Sequence, residues 1–120
     1  MLSILVIDNN PHFIHAFNYI LQDTFTTKNI ELHIAESSSE ALTILGENNN
    51  IDVVFLDVDL PQIDGIETTR KIRSEYEKVK IIALSFYEEQ NLKNNFIQAG
   101  AKQYVVKENI TAMVLQNILT

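Results

Sequence analysis

The sequence predicts a doubly wound α/β domain built on a five-stranded parallel sheet, and three observations carry that prediction. Four short apolar runs, Ile4 to Ile7, Val53 to Leu56, Ile81 to Leu84 and Tyr104 to Val106, lack polar alternation, as strands do when both faces are covered. Segments whose apolar residues recur at helical spacing separate the runs. The chain has 120 residues, 46% of them hydrophobic and 21% charged, which suits a single globular core.

The elements follow in order. After the first run, Asn10 is placed to cap a helix that has Pro11 at its first position, with Phe13, Phe17, Ile20 and Leu21 as its core-facing stripe. Leu32 to Ile34 is a shorter, more polar strand, expected at an edge of the sheet. Ser38 or Ser39 opens a second helix facing inward through Ala41, Leu42 and Leu45, with Gly46 near its end and a turn at Asn48 to Asn50. The third strand is Val53 to Leu56, and the alternation requires a helix before the fourth, Ile81 to Leu84. A further helix carries Leu92, Phe96 and Ala99 and closes at Gly100. The fifth strand precedes a last helix with a stripe of Ile110, Met113, Val114 and Ile118. No internal repeat or linker interrupts residues 1–120, so one domain is expected.

Composition narrows the function classes. A net charge of −7 disfavours binding to nucleic-acid phosphates, which needs clustered cations. No apolar run is long enough to span a membrane, and no basic flank or cleavage site marks a signal peptide, so a cytoplasmic protein is expected. The chain contains no cysteine, which removes disulfides and thiolate metal sites. His12, His15 and His33 lack a metal-ligand spacing and are assigned to surface or helix packing.

In open parallel sheets, ligands bind beyond the carboxyl ends of the strands, where the strand order reverses. Asp8 ends the first strand, Asp57 the third, Ser85 the fourth and Lys107 the fifth, so two acids, a hydroxyl and a cation reach one edge. Each has an ordinary alternative: Asp8 as a helix cap, Ser85 as a turn opener, Lys107 as a solvated strand end. Together they make a phosphoryl-transfer site: carboxylates for Mg²⁺, lysine and hydroxyl for phosphoryl oxygens, and Asp57 as nucleophile.

The stretches ILVIDNNPHF, DVVFLDVDLPQIDG, IIALS and GAKQYVVK resemble, in order and spacing, the signature blocks of response-regulator receiver domains of bacterial two-component systems. The chain is most similar to receivers that precede helix-turn-helix output domains of the nitrate-response and quorum-sensing class. The resemblance implies a flavodoxin-like strand order of 2-1-3-4-5, Asp57 as phosphoacceptor, and Mg²⁺ held by Asp8, Asn9, Asp57 and the backbone carbonyl of Asp59. It further implies Ser85 as the switch hydroxyl, Lys107 as the phosphoryl-contacting lysine and Tyr104 as the switch aromatic. Pro61 and Gly65 match the loop after the acceptor, where a permissive backbone shapes the turn. The implied partners are a sensor histidine kinase and a helix-turn-helix output domain outside this chain. Leu92, Phe96, Tyr104 and Met113 fall together in the inferred topology, and the surface around Tyr104 is expected to change on phosphorylation, with homodimerisation as the simplest readout.

Two positions depart from the family pattern. Asn9 stands where a second acid is usual, and Phe86 where a small residue borders the phosphoryl site. These departures keep open a pseudo-receiver that acts by protein binding without phosphorylation. A haloacid-dehalogenase-like phosphatase is a further alternative, since Asp57 and Asp59 form an Asp-x-Asp pair after an apolar strand, although that motif normally occupies the first strand.

Overall fold

The apolar runs form the middle of the sheet. A computed structural model, which describes residues 2–26, 29–48, 50–60 and 64–120, contains strands β1 (Leu2–Ile7), β2 (Ile30–Ala35), β3 (Val53–Asp57), β4 (Lys80–Ser85) and β5 (Gln103–Val106). All neighbours pair in parallel, in the order β2-β1-β3-β4-β5. The expected order is therefore present. β2 is longer than its apolar residues suggest because its whole length registers against β1, from Leu2 opposite Ile30 to Ile7 opposite Ala35.

Helices α1 (Pro11–Thr24), α2 (Ser38–Glu47), α3 (Gly65–Glu75), α4 (Gln90–Ala99) and α5 (Ala112–Leu119) cover both faces. Along each central strand, successive side chains enter opposite layers. Leu5, Ile7, Val54, Leu56, Ile81 and Ala83 pack with Ala41, Leu45, Ile72 and Phe96 from α2, α3 and α4. Ile4, Val6, Val53, Phe55, Ile82 and Leu84 pack with Phe17, Leu21, Leu115 and Ile118 from α1 and α5. Both layers demand apolar residues, so the alternation expected of a half-exposed strand is lost.

The helix ends follow their capping chemistry. Asn10 accepts hydrogen bonds from the His12 and Phe13 N–H groups and fixes the start of α1. Helix α2 opens at Ser38, as expected, and its cap is Ser37, whose hydroxyl accepts the Glu40 N–H. Ser38 points elsewhere, its hydroxyl 3.0 Å from that of Thr68 on α3. Gly100 ends α4 at φ +126°, a conformation that an L side chain rarely adopts.

The helix that the alternation requires before β4 is α3. It has no apolar stripe, because its buried face is Gly65, Thr68, Thr69 and Ile72; hydroxyls fill it, and Thr69 donates back to the Gly65 carbonyl. Two expectations need correction. Gly65 is not required for backbone freedom, since Gly100 is the glycine with positive φ among the described residues. A Cβ on Gly65 would instead lie 2.8 Å from Phe96 Cζ, so close packing excludes a larger residue. Met113 is 71% exposed, whereas Leu115 is fully buried. A turn of 3-10 helix at Lys107–Asn109 separates β5 from α5, and Thr111 caps the new helix, which sets its phase so that Leu115 and Ile118 are buried with Ile110 and Val114 packed against them, while Met113 turns outward.

Candidate functional site

Helical connections return each strand in the same direction, so the carboxyl ends of β1, β3, β4 and β5 lie along one edge. The order reverses between β1 and its neighbours β2 and β3, which creates a crevice at that edge. Asp8 follows β1, Asp57 ends β3, and Lys107 follows β5. The Lys107 ammonium lies 2.9 Å from Asp8 Oδ2 and 3.3 Å from Asp57 Oδ2, with all three side chains buried. One cation therefore faces two carboxylates. The unbalanced negative charge in a buried place suits a hard divalent cation, which takes one or two carboxylates and completes its shell with water and carbonyl oxygens.

Backbone N–H groups fix both carboxylates. The Asn10 N–H donates to Asp8 Oδ1 at 2.8 Å, and the Asp59 N–H donates to Asp57 Oδ1 at 2.9 Å. Each acid is thus gripped by the residue two positions onward, leaving its other oxygen toward Lys107. Burial raises the Asp57 pKa above the ordinary carboxylate value, and the neighbouring Asp8 charge adds to the rise; the Asp59 N–H and Lys107 oppose it. A carboxylate perturbed by burial and a like charge in a crevice is characteristic of a working site.

Ser85 is buried at the end of β4. Its hydroxyl lies 3.5 Å from Asp59 Oδ2, while the Phe86 N–H donates to the same oxygen at 3.0 Å. The Tyr87 N–H donates to Ser85 Oγ at 3.1 Å, and the Tyr104 hydroxyl donates to the Tyr87 carbonyl at 2.9 Å. The rings of Phe13 and Phe86 each lie 4.4 Å from the Lys107 ammonium, a cation–π arrangement that replaces part of its hydration.

The structure brings Asp8, Asp57 and Lys107 into contact, with Ser85 and Asp59 beside them. Tyr104 stands apart, packed against Phe96 at 6.4 Å between ring centroids and tied to the site through the Tyr87 carbonyl. Asn9 is exposed next to Asp8, and among the described residues no group of three His, Cys, Asp or Glu is placed to hold a metal. Asp59 turns its carboxylate toward Phe86, a contact that its expected carbonyl role does not include. Pro61 lies outside the described residues. Phe13 and Tyr87 were not visible as site residues: Phe13 belongs to an ordinary core stripe, and Tyr87 takes part through its backbone, which any residue supplies.

The model of the response regulator receiver domain matches residues 4–119. The response regulator UvrY of Escherichia coli (strain K12) is 34% identical over 107 residues, covering 89% of this chain and 48% of that protein. A response regulator receiver domain protein from Clostridium thermocellum superposes with a TM-score of 0.84 at 28% identity, covering 99% of this chain and 91% of that one. A LuxR-family two-component response regulator from Aurantimonas sp. SI85-9A1 gives 0.82 at 25% identity, covering 97% and 81%. The chain spans about half the length of the curated relatives it matches. A family model that spans nearly the whole chain, a shared strand order and relatives in the LuxR class lead to one conclusion: the chain belongs to the response regulator receiver domain family of two-component systems.

Proposed function

We propose that this domain is a phosphorylation switch that accepts a phosphoryl group on Asp57 from a sensor histidine kinase. The observation that carries the reading is the Lys107 ammonium shared between buried Asp8 and Asp57. An Asp57 oxygen attacks the donor's phosphorus, the bond from phosphorus to the donor nitrogen breaks, and an acyl phosphate forms. Lys107, 3.3 Å from Asp57 Oδ2, and the Ser85 hydroxyl at the end of the neighbouring strand would bind the transferred oxygens. Asp8, Asn9, Asp57 and the Asp59 carbonyl are the residues that would hold Mg²⁺. When bound, the ion offsets charge on the phosphoryl oxygens.

The readout is assigned to the surface around Tyr104, through self-association or contact with a helix-turn-helix output domain outside these residues. A cytoplasmic location fits that role, and no helix of the described residues is long and apolar enough to cross a membrane. A dehalogenase-like phosphatase is disfavoured because Asp59 directs its carboxylate to Phe86 instead of standing free as a general acid. The same contact is what favours a pseudo-receiver as the second reading.

Intact mass after incubation with acetyl phosphate or phosphoramidate and Mg²⁺ tests the proposal. One hydroxylamine-labile phosphoryl group should appear and be lost in Asp57→Asn. An unchanged wild-type mass would favour the pseudo-receiver.

A further inference from the structure

We infer that the Asp59 carboxylate is an internal anion that occupies the Ser85 and Phe86 donors until a phosphoryl group on Asp57 displaces it. The inference rests on Asp57 being the acceptor. Asp59 is anchored there by its own N–H, which binds Asp57 Oδ1 at 2.9 Å. Its side chain then crosses to β4, where one oxygen takes the Phe86 N–H at 3.0 Å and stands 3.5 Å from the Ser85 hydroxyl. These are adjacent donors, from a backbone amide and a buried hydroxyl. They form a small oxyanion cradle, and in this conformation the protein's own carboxylate fills it.

A phosphoryl group on Asp57 brings nearly two negative charges and three strong acceptor oxygens to the same place. The cradle cannot serve both anions, and repulsion between them favours expulsion of Asp59. Departure of Asp59 also frees the segment it holds. The Ser85 hydroxyl accepts the Tyr87 N–H, and the Tyr87 carbonyl accepts the Tyr104 hydroxyl. A hydrogen-bonded path therefore runs from Asp59 through the β4–α4 connection to Tyr104. The Phe86 amide that binds Asp59 also carries the ring that lies 4.4 Å from the Lys107 ammonium. Asp59 thus positions both the aromatic cover over Lys107 and the loop to which Tyr104 is tied. Its cost is competition: an entering oxyanion must first displace a carboxylate, which lowers apparent affinity by the fraction of molecules already latched.

The test compares wild type, Asp59→Ala and Asp59→Asn by amide NMR, without phosphodonor and then during titration with beryllofluoride and Mg²⁺. Without donor, the Phe86 amide should exchange with solvent about tenfold faster in Asp59→Ala, with Asp59→Asn between, as expected for loss of a charge-assisted hydrogen bond. Beryllofluoride should half-saturate Asp59→Ala at roughly tenfold lower concentration, again with Asp59→Asn between. Unchanged Phe86 exchange, or equal or weaker beryllofluoride binding in Asp59→Ala, would overturn the inference. Failure of every protein to take up beryllofluoride or a phosphoryl group would overturn the acceptor reading, and the displacement step with it. A Phe86 amide protected by Asp59 would then mark a permanent structural contact.

Discussion

Lys107 and Asp8 are 99 residues apart in sequence and meet as a buried ion pair at 2.9 Å. The pair closes the site from both ends of the chain, and the same ammonium also stands 3.3 Å from Asp57. Removing it leaves two buried carboxylates without a cation. Lys107→Ala should therefore cost about 3–5 kcal/mol of stability, the range for a broken buried pair. Urea unfolding without added Mg²⁺ measures it. A loss below about 1 kcal/mol, as for an exposed pair, would mean that water reaches both acids.

Asp57→Asn should stabilise the fold at neutral pH. The Asp57 pKa is raised by burial and by Asp8, so the folded state binds a proton more readily than the unfolded chain. Wild-type stability then falls as pH rises from the ordinary carboxylate pKa to the raised one, and the deficit persists above it. The variant lacks that deficit. A higher Tm than wild type is expected near neutrality. The difference should shrink on acidification below the ordinary carboxylate pKa. A variant that melts below wild type at neutral pH would contradict this account.

At the metal end of the crevice, Asn9→Asp would add a formal charge to a divalent site that has two buried carboxylates. Calorimetric titration should show Mg²⁺ binding tightened by roughly tenfold, since ligand charge tunes affinity at such sites. Equal affinities would place Asn9 outside the coordination sphere.

Gly65→Ala tests packing rather than backbone freedom. The added methyl would lie 2.8 Å from Phe96 Cζ, and the Phe96 ring packs on Tyr104. Despite the better helix propensity of alanine, the variant should lose about 1–3 kcal/mol through overpacking. Thermal unfolding reads the loss, and a more stable variant would show that Phe96 moves aside without strain.

Output can be followed by sedimentation velocity. With beryllofluoride and Mg²⁺, the wild type should self-associate more strongly than the untreated domain, because an anion held by Ser85 and Lys107 favours one arrangement of the surface around Tyr104. Lys107→Ala should lose that response while retaining some phosphorylation at Asp57. Treated wild type that stays monomeric at high concentration would direct the search to a tethered domain or a separate partner.

By itself, the sequence determined which residues stand together at the working edge. Short apolar runs without alternation, separated by segments with helical spacing, fit strands covered on both faces, and parallel strands joined by helices all end at the same side. Asp8, Asp57, Ser85 and Lys107 each sit at or just beyond the end of such a run, so their convergence follows from local pattern and topology. Helix α3 was legible only from the alternation, because Thr68 and Thr69 bury hydroxyls where a stripe would show apolar residues. The phase of α5 was legible only in part: Ile110, Val114 and Ile118 pack inward as their spacing indicates, but Leu115 takes the buried position in place of Met113, because the intervening 3-10 turn and the Thr111 cap set the start of the helix. Tertiary structure alone decided that Phe13 and Phe86 flank the Lys107 ammonium, that Gly65 makes room for Phe96, and that Asp59 turns its carboxylate to Phe86. These relationships join residues from different elements. Their directions depend on how close the elements approach and which polar groups lack another partner, and periodicity along one segment encodes neither.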